Sequence, residues 1–241
     1  MTLPSASIWQ TVRLELEKSV ASGDWEESER LPSEAALADR FGVHRHTVRR
    51  ALSALAMDGL VRIEKGKGAF VESEALEYRI GRRTRFSENM KRLGMEQHAQ
   101  LLGDEVQRAG APIAQALNIR AGQQVTVLTT LRHVQGRPIS LASHHFPRDR
   151  FGNIKEAFLK TGSITLALRE LGIAEYFRRS STITAMLPDE DDARWLGQPR
   201  TQPILVIESV NVSPEESPIL FSRTRMSALR VQLTFDVIAD I

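Results

Sequence analysis

Positive charge is concentrated in one stretch of the chain, RFGVHRHTVRRALSALAMDGLVRIEKGKGAF at residues 40–70. This stretch holds seven Lys and Arg residues and two acidic ones, whereas the preceding 39 residues hold three basic and eight acidic residues. The same stretch carries apolar residues at helical spacing and then a series of glycines. We therefore expect short helices followed by a tight hairpin, with cations on the exposed side.

Three helices and a hairpin are predicted in this part of the chain. Apolar residues at four-residue steps predict an amphipathic helix from Ile8 to Ala21. Ser33 can cap a short second helix, and Gly42 permits a tight turn after it. A third helix is expected from about Arg45 to Met57. The segment EKGKG, at residues 64–68, then joins two short strands.

The third helix is predicted to have an apolar back and a cationic front. The apolar set is Val48, Leu52 and Leu55, and the residues that project from the other faces are Arg45, His46, Arg49 and Arg50. Such a helix, set by a tight turn against a shorter one, is the recognition unit of a helix-turn-helix. In the hairpin, Lys65 and Lys67 flank Gly66, which lets the backbone approach a phosphate or a groove. The combination predicts binding to double-stranded DNA.

Each part taken alone has a simpler interpretation. A basic amphipathic helix is usually a solvated surface, and GKG resembles part of a nucleotide-binding loop. The phosphate loop G-x-x-x-x-G-K-[ST] would need Gly at 61 and Ser or Thr at 68, where Val61 and Gly68 stand. The sequence therefore excludes that loop here.

After residue 72 the pattern changes. Residues 73–83 have no sustained period and are predicted to link a DNA-binding domain at 1–72 to an α+β domain at 84–241. Strands are predicted at 125–132, 138–146, 178–185, 204–212, 219–226 and 231–238, and short helices near 86–94, 112–118, 163–171 and 189–196. A weak internal repeat, Ala114-x-x-Leu117 and Ala193-x-x-Leu196, places a small helix before a strand twice, as a duplicated half-domain would.

Composition limits the functions that the chain can have. The 241 residues, 41% of them hydrophobic, are enough for one large domain or two small ones. The absence of cysteine excludes disulfides and zinc–thiolate sites. We expect a cytoplasmic protein with no membrane partner, because the sequence shows no export signal and no run of roughly 18 apolar residues. The histidines show no ligand spacing, so we expect no metal, and we expect no cofactor.

Several stretches resemble a known family. LPSEAALADRFGVHRHTVRRALSALAMDGLVRIEKGKGAFV (31–71) resembles the winged-helix domain of GntR-type bacterial transcription regulators. TRFSENMKRLG (84–94), LRHVQGRPISLASHHFP (131–147) and PILFSRTRM (218–226) resemble the effector-sensing, UTRA-type domain of the HutC branch. VHRHTVRRA and RFSENM are most similar to its phosphonate-metabolism regulators. The resemblance implies a winged helix-turn-helix followed by a sensing and dimerisation domain, in which an antiparallel sheet packs with helices as in chorismate lyase.

The resemblance also implies the DNA contacts. The predicted DNA-binding residues are Ser33, Arg45, His46, Thr47, Arg49, Arg50, Lys65, Gly66 and Lys67, of which Arg45, Thr47, Arg49, Lys65 and Gly66 match the family's contacts directly. Two positions depart from its pattern. Ala35 stands where the family often has Arg, so one usual contact is absent. His44 stands where Ser or Thr usually caps the reading helix, and it is a weaker cap.

Members of the HutC branch bind a small effector between the sheet and the helices of the sensor. The predicted effector-binding residues are Arg85, Phe86, Ser87, Arg132, His144, Ser163, Thr165, Ser222 and Arg223. Phe86 and Ser87 are expected to open a helix, whose free N–H groups favour an anion. Taken singly, Arg132 and Arg223 can equally be surface residues of their strands, and His144 can be a core residue.

Two further positions bear on the chemistry of the effector. Ala142 and Leu220 are apolar where related sugar-phosphate sensors tend to carry glutamates. A pocket without acids at these positions is poorly suited to sugar hydroxyls. This favours a smaller phosphonate- or phosphate-like anion, although a sugar phosphate or a carboxylate effector stays open as an alternative.

The sequence favours a dimeric, ligand-responsive repressor of phosphonate uptake and use genes that binds a palindromic operator. An enzyme is disfavoured because no nucleophile–base pair or nucleotide loop is found and fold likeness does not carry activity. A non-specific DNA-binding protein is disfavoured because it would not need about 160 residues of α+β domain.

Overall fold

The computed structural model describes residues 7–26, 29–64, 66–72, 75–83, 86, 89–90 and 93–235. The chain divides into two compact units, Met1–Ala75 and Leu76–Ile241. Each unit has a hydrophobic core of its own. Among the helices in these residues, none has the length and apolar character needed to cross a membrane.

The first unit consists of three helices and a hairpin. These are α1 (Ile8–Ala21), α2 (Glu34–Phe41), α3 (Arg45–Met57), β1 (Val61–Glu64) and β2 (Gly68–Val71). The Ser33 hydroxyl accepts a hydrogen bond from the Ala36 N–H at 3.2 Å and so caps α2. Gly42, with φ of 63°, ends α2 in the left-handed region that glycine adopts most easily. The three predicted helices and the hairpin are confirmed.

The second unit is built on a six-stranded antiparallel sheet. Its strands are β4 (Gln97–Arg108), β5 (Gln124–Val134), β6 (Arg137–Pro147), β7 (Phe177–Met186), β8 (Ile204–Val212) and β9 (Pro218–Ser227), in the order β4-β5-β6-β9-β8-β7. A separate pair of parallel strands joins β3 (Leu76–Ile80) to β10 (Val231–Phe235).

Helices cover both faces of this sheet. They are α4 (Ala111–Leu117), α5 (Arg148–Phe151), α6 (Ile154–Thr161), α7 (Ile164–Glu170) and α8 (Glu190–Leu196). The face against which α5, α6 and α7 pack, through a core that includes Phe146 and Leu220, is called the front face. Helices α4 and α8 pack on the opposite, back face, against Val125 and Ile204 respectively.

The weak internal repeat corresponds to a repeat of structure. The first half runs β4-α4-β5-β6 and the second β7-α8-β8-β9, and the two halves meet where β6 pairs with β9. Ala114 and Leu117 of α4 are buried, as are Ala193 and Leu196 of α8. The repeat therefore reflects two helices that bury equivalent residues on one face of the sheet.

Some elements differ from the prediction. Strand β4 and helices α5 and α6 were not predicted from the sequence. Strand β3 falls within residues 73–83, the predicted linker, so part of that segment pairs with β10 in the second unit. Residues 87, 88, 91 and 92 of the helix predicted near 86–94, and residues 236–238 of the last predicted strand, lie outside the described residues.

Candidate functional site

The first candidate site is the exposed surface of α3. The buried residues of this helix are Val48, Ala51, Leu52 and Leu55, and its exposed ones include Arg45, His46, Arg49 and Arg50. Thr47 is half-buried. Helix α3 follows α2 after a turn in which the Val43 N–H donates to the Ala38 carbonyl at 3.0 Å. The local sequence thus fixes a cationic helix face next to a shorter helix.

Two of these arginines have partners within the same unit. The Arg49 guanidinium donates from Nε and Nη2 to both carboxylate oxygens of Glu34, at 2.7 to 3.2 Å. The guanidinium of Arg50 lies over the Trp9 ring, 4.4 Å from its centroid. Arg49 is thus held by α2 and Arg50 by α1, and both side chains stay exposed.

The start of α3 is capped by a histidine. The His44 side chain accepts from the His46 N–H at 3.4 Å, at the long end for a hydrogen bond. The two imidazole rings also stack, with centroids 5.1 Å apart. His46 is therefore oriented by its neighbour at the N-terminal end of the exposed surface.

The hairpin between β1 and β2 provides a second exposed surface. Gly66 and Gly68 have φ of 80° and 110°, which L-residues rarely adopt, so the hairpin needs glycine at both positions. Lys67 is exposed and lies 3.2 Å from a carboxylate oxygen of Glu64. Lys65 lies outside the described residues.

The second candidate site is a cavity on the front face of the sheet in the second unit. Residues from six strands and from the start of α7 converge on it, and most of them are polar or aromatic. Its lining includes Tyr78, Phe86, Thr130, Arg132, Ala142, His144, Ser163, Thr165, Tyr176, Arg178, Asn211, Leu220, Ser222 and Thr224. No Asp or Glu is among the described lining residues.

Arg132 projects from β5 into this cavity. Its guanidinium lies 4.7 Å from the centroid of the Phe86 ring, and Nη1 donates to the side-chain oxygen of Gln97. Burial lowers the pKa of the Arg132 guanidinium from its ordinary value. The side chain is thus a desolvated cation, and its described contacts include no carboxylate.

Arg178 brings a second cation from the edge strand β7. Its Nη2 donates to the Tyr78 hydroxyl at 3.3 Å. Its Nε and Nη1 atoms are buried and have no hydrogen-bond partner among the described residues. Buried donors without acceptors are costly, so this guanidinium is well suited to an anionic guest.

The floor of the cavity carries a neutral histidine. His144 Nδ1 lies 3.1 Å from the Ser222 hydroxyl and Nε2 lies 3.2 Å from the Thr130 hydroxyl. Burial, together with the positive charge of Arg132, lowers the pKa of His144 to about 3. His144 therefore offers one hydrogen-bond donor and one acceptor, and it adds no positive charge at neutral pH.

The family of both units follows from comparison with known proteins. Residues 9–71 match the family described as bacterial regulatory proteins, gntR family, and residues 92–232 match the UTRA domain. The chain belongs to the GntR family, with a UTRA sensor domain. It is a transcription regulator of the HutC type and not an enzyme, and regulators of this family bind DNA and, through the UTRA domain, small-molecule effectors.

Several relatives of this regulator match over nearly its full length. An uncharacterised HTH-type transcriptional regulator of Rhizobium meliloti is 36% identical over 95% of each chain. The probable transcriptional regulator PhnF of Escherichia coli is 32% identical over 92% of this chain and 90% of that protein. The crystal structure of PhnF from Mycobacterium smegmatis is 25% identical, covers 95% of this chain and all of the other, and has a TM-score of 0.65.

In this GntR-family chain, six predicted effector residues lie together in the cavity: Phe86, Arg132, His144, Ser163, Thr165 and Ser222. Arg85 and Ser87 lie outside the described residues. Arg223 does not belong to the cavity, and its placement there is corrected. It follows Ser222 in β9, so it points to the back face, where its Nε lies 3.8 Å from Glu208.

Arg178 is a charged lining residue that was not predicted from the sequence. Two adjacent arginines, Arg178 and Arg179, stand at the start of a predicted strand, and alternation requires one of them to face each side. The sequence does not say which side is the cavity. Among the described residues, no cluster of three or more His, Cys, Asp or Glu residues that could hold a metal ion is found.

The histidines predict a pH dependence of stability. Burial lowers the pKa of His144 to about 3 and that of His145 to about 4, below the ordinary value of 6.5. Between pH 6.5 and 4 the unfolded chain therefore holds protons that the folded chain lacks, and stability falls as the pH falls. Each histidine contributes a slope of at most roughly 1.4 kcal/mol per pH unit.

Urea unfolding between pH 7 and pH 4.5 measures this slope. His144→Gln should give a flatter profile than the wild type, whereas His98→Gln, at an exposed position, should not. Equal slopes for the wild type and His144→Gln would contradict the assignment of a buried neutral imidazole.

Proposed function

We propose that this regulator recognises a palindromic operator as a homodimer, through α3 and the β1–β2 hairpin of each chain. The observation that supports this is the exposed cationic face of α3, since one such helix covers only a half-site and a second copy completes the operator. The first unit then binds DNA and the second dimerises and senses. The protein acts in the cytoplasm, where its operator is. A stable monomer in light scattering that still binds the operator with full affinity would contradict the dimer.

Replacing the arginines of α3 tests the DNA-binding assignment. Arg45→Ala and Arg49→Ala should each weaken specific binding by about 1–3 kcal/mol, the usual effect of losing a base contact. Lys67→Ala should instead weaken binding to all sequences similarly and flatten the salt dependence, because a hairpin lysine contacts phosphate. Binding isotherms on selected and random DNA at several salt concentrations separate these effects. If all three variants lost affinity equally on selected and random DNA, the proposed roles of α3 and the hairpin would be contradicted.

We propose that the effector is a small phosphonate- or phosphate-like anion, and that the protein represses genes for phosphonate uptake and use. The observation that carries this is the pair of guanidinium groups, Arg132 and Arg178, in a cavity whose described lining has no carboxylate. Buried cations of this kind bind tetrahedral oxyanions strongly because guanidinium forks match their geometry. Hydroxyls of Ser163, Ser222 and Thr224 supply further polar groups.

The size of the cavity also favours a small ligand. The cavity has a volume of about 100 Å³, well below the roughly 300–1,000 Å³ of pockets that hold drug-sized ligands. A short alkylphosphonate fits this volume, whereas a hexose phosphate has many more non-hydrogen atoms. The apolar Ala142 and Leu220 on the lining offer no partner to sugar hydroxyls.

The relatives keep a second candidate class open. A probable fructoselysine utilization operon transcriptional repressor of Shigella flexneri is 24% identical over 95% of this chain. A thermal-shift screen with methylphosphonate, 2-aminoethylphosphonate, inorganic phosphate and glucose 6-phosphate decides between the classes, since a ligand stabilises the folded state by mass action. Stabilisation by the sugar phosphate alone would replace the phosphonate proposal.

A further inference from the structure

An ion pair joins Arg49, on the exposed surface of α3, to Glu34 on α2. Glu34 is the first residue of α2, and both of its carboxylate oxygens accept from Arg49. The Glu34 side chain is 35% exposed and that of Arg49 is 59% exposed. The carboxylate therefore lies beside the guanidinium and is the less exposed of the two groups.

The geometry of this pair leaves one end of the guanidinium free. Glu34 takes the Nε–H and one N–H of Nη2. Nη1 and the second N–H of Nη2 then point away from the carboxylate, as the planar fork requires. Those two groups are the pair that can donate together to O6 and N7 of a guanine.

We propose that Glu34 is a positioning residue that determines operator specificity, because it holds Arg49 with the free end of its guanidinium towards the base edges. The proposal rests on the proposed role of α3 as the reading helix. A flexible arginine loses side-chain entropy when it binds a base, and a side chain already held by a carboxylate loses less. The hydrogen bond from Arg49 lowers the pKa of the Glu34 carboxyl, so the clamp stays ionised at neutral pH.

A Glu34 that opposed DNA binding would give the reverse result when it is replaced. A carboxylate near DNA repels phosphates, so a Glu34 that merely competes with DNA for Arg49 would weaken binding. Its removal would then tighten binding to every sequence. Positioning instead requires that binding to the preferred sequence weakens when the carboxylate is withdrawn.

The test uses the full chain, a duplex selected by the wild-type protein from a random library, and a shuffled duplex of the same composition. Glu34→Asp keeps the charge and shortens the side chain by one methylene, so the ratio of selected to shuffled affinity should fall about tenfold while affinity for the shuffled duplex stays unchanged. Glu34→Gln should also lower the ratio. Asp39→Asn, an exposed acid of the same helix, is the matched control and should leave the ratio unchanged.

A double-mutant comparison links the effect to Arg49. In an Arg49→Ala background, Glu34→Asp should cause no further loss, and all variants should unfold at the wild-type temperature. Equal or tighter binding of the selected duplex by Glu34→Asp, or an additive loss in the double variant, would overturn the positioning role. If Arg45→Ala and Arg49→Ala both keep the wild-type ratio, the reading-helix assignment itself falls, and the positioning role with it.

Discussion

Arg178→Met should abolish effector binding while leaving the ligand-free protein at least as stable as the wild type. The substitution removes a guanidinium whose Nε and Nη1 have no partner among the described residues and that we expect to bind the anion. Hydrogen bonds to charged groups contribute about 1.5–3 kcal/mol each, so two of them correspond to a loss of roughly 100-fold or more. The fold loses a poorly satisfied buried cation and gains apolar contact, which stabilises or is neutral.

Calorimetry with methylphosphonate and inorganic phosphate, together with thermal unfolding, measures both parts of this expectation. Arg179→Met is the matched control, because Arg179 is the exposed neighbour on the same strand. It should bind as the wild type does. Unchanged binding by Arg178→Met, or a clear loss of stability in the absence of ligand, would show that Arg178 is a structural residue.

How far the sequence predicts this fold depends on whether the signal is local. The limits of α1 and α3 agree with the expected ones because apolar spacing is a local signal. Ser33 and Gly42, which bound α2, also act within a single turn. Strand β4 was missed because it is an edge strand whose residues are mostly exposed, so it lacks the alternation of apolar and polar residues that marks a half-buried strand. Strand β4 forms because it pairs with β5, and no local pattern of residues indicates that pairing.

The same limit applies to the sensor cavity. Resemblance to a family located Arg132, His144 and Ser222, and the structure brings them together. The resemblance could not show which of two neighbouring side chains on a strand faces the cavity. Arg223 was therefore assigned to the wrong face of the sheet. Which side of a strand faces a cavity depends on where the helices pack, and that is a property of the whole domain.

Arg225 and Asp192 form a contact that sequence reasoning would not pair. Asp192 stands in the first turn of its helix. It lies on α8, and its Oδ1 is 3.3 Å from Nε of Arg225 on the back face of β9, with side-chain exposures of 12% and 15%. The distance is that of an ion pair, but Nε has no hydrogen-bond partner among the described residues. Nη2 of the arginine donates to the Ser143 hydroxyl at 3.1 Å.

Burial acts against the charge of both members of this pair. It raises the pKa of the Asp192 carboxyl and lowers that of the Arg225 guanidinium, and the attraction between the two charges opposes both changes. Removing only one member leaves the other charge buried without compensation. Replacing both by apolar residues removes the desolvation penalty together with the attraction.

Asp192→Ala should therefore destabilise the second unit by about 3–5 kcal/mol, the usual cost of breaking a buried pair. The double variant Asp192→Leu with Arg225→Met should recover most of this loss. Asp191→Ala is the control on the same helix, because Asp191 pairs with Arg194 on the surface and such pairs contribute at most about 1 kcal/mol. Urea unfolding of the four proteins, wild type included, measures the differences. A double variant no more stable than Asp192→Ala would mean that the stability comes from the hydrogen bonds and packing of Arg225, and that its charge matters little.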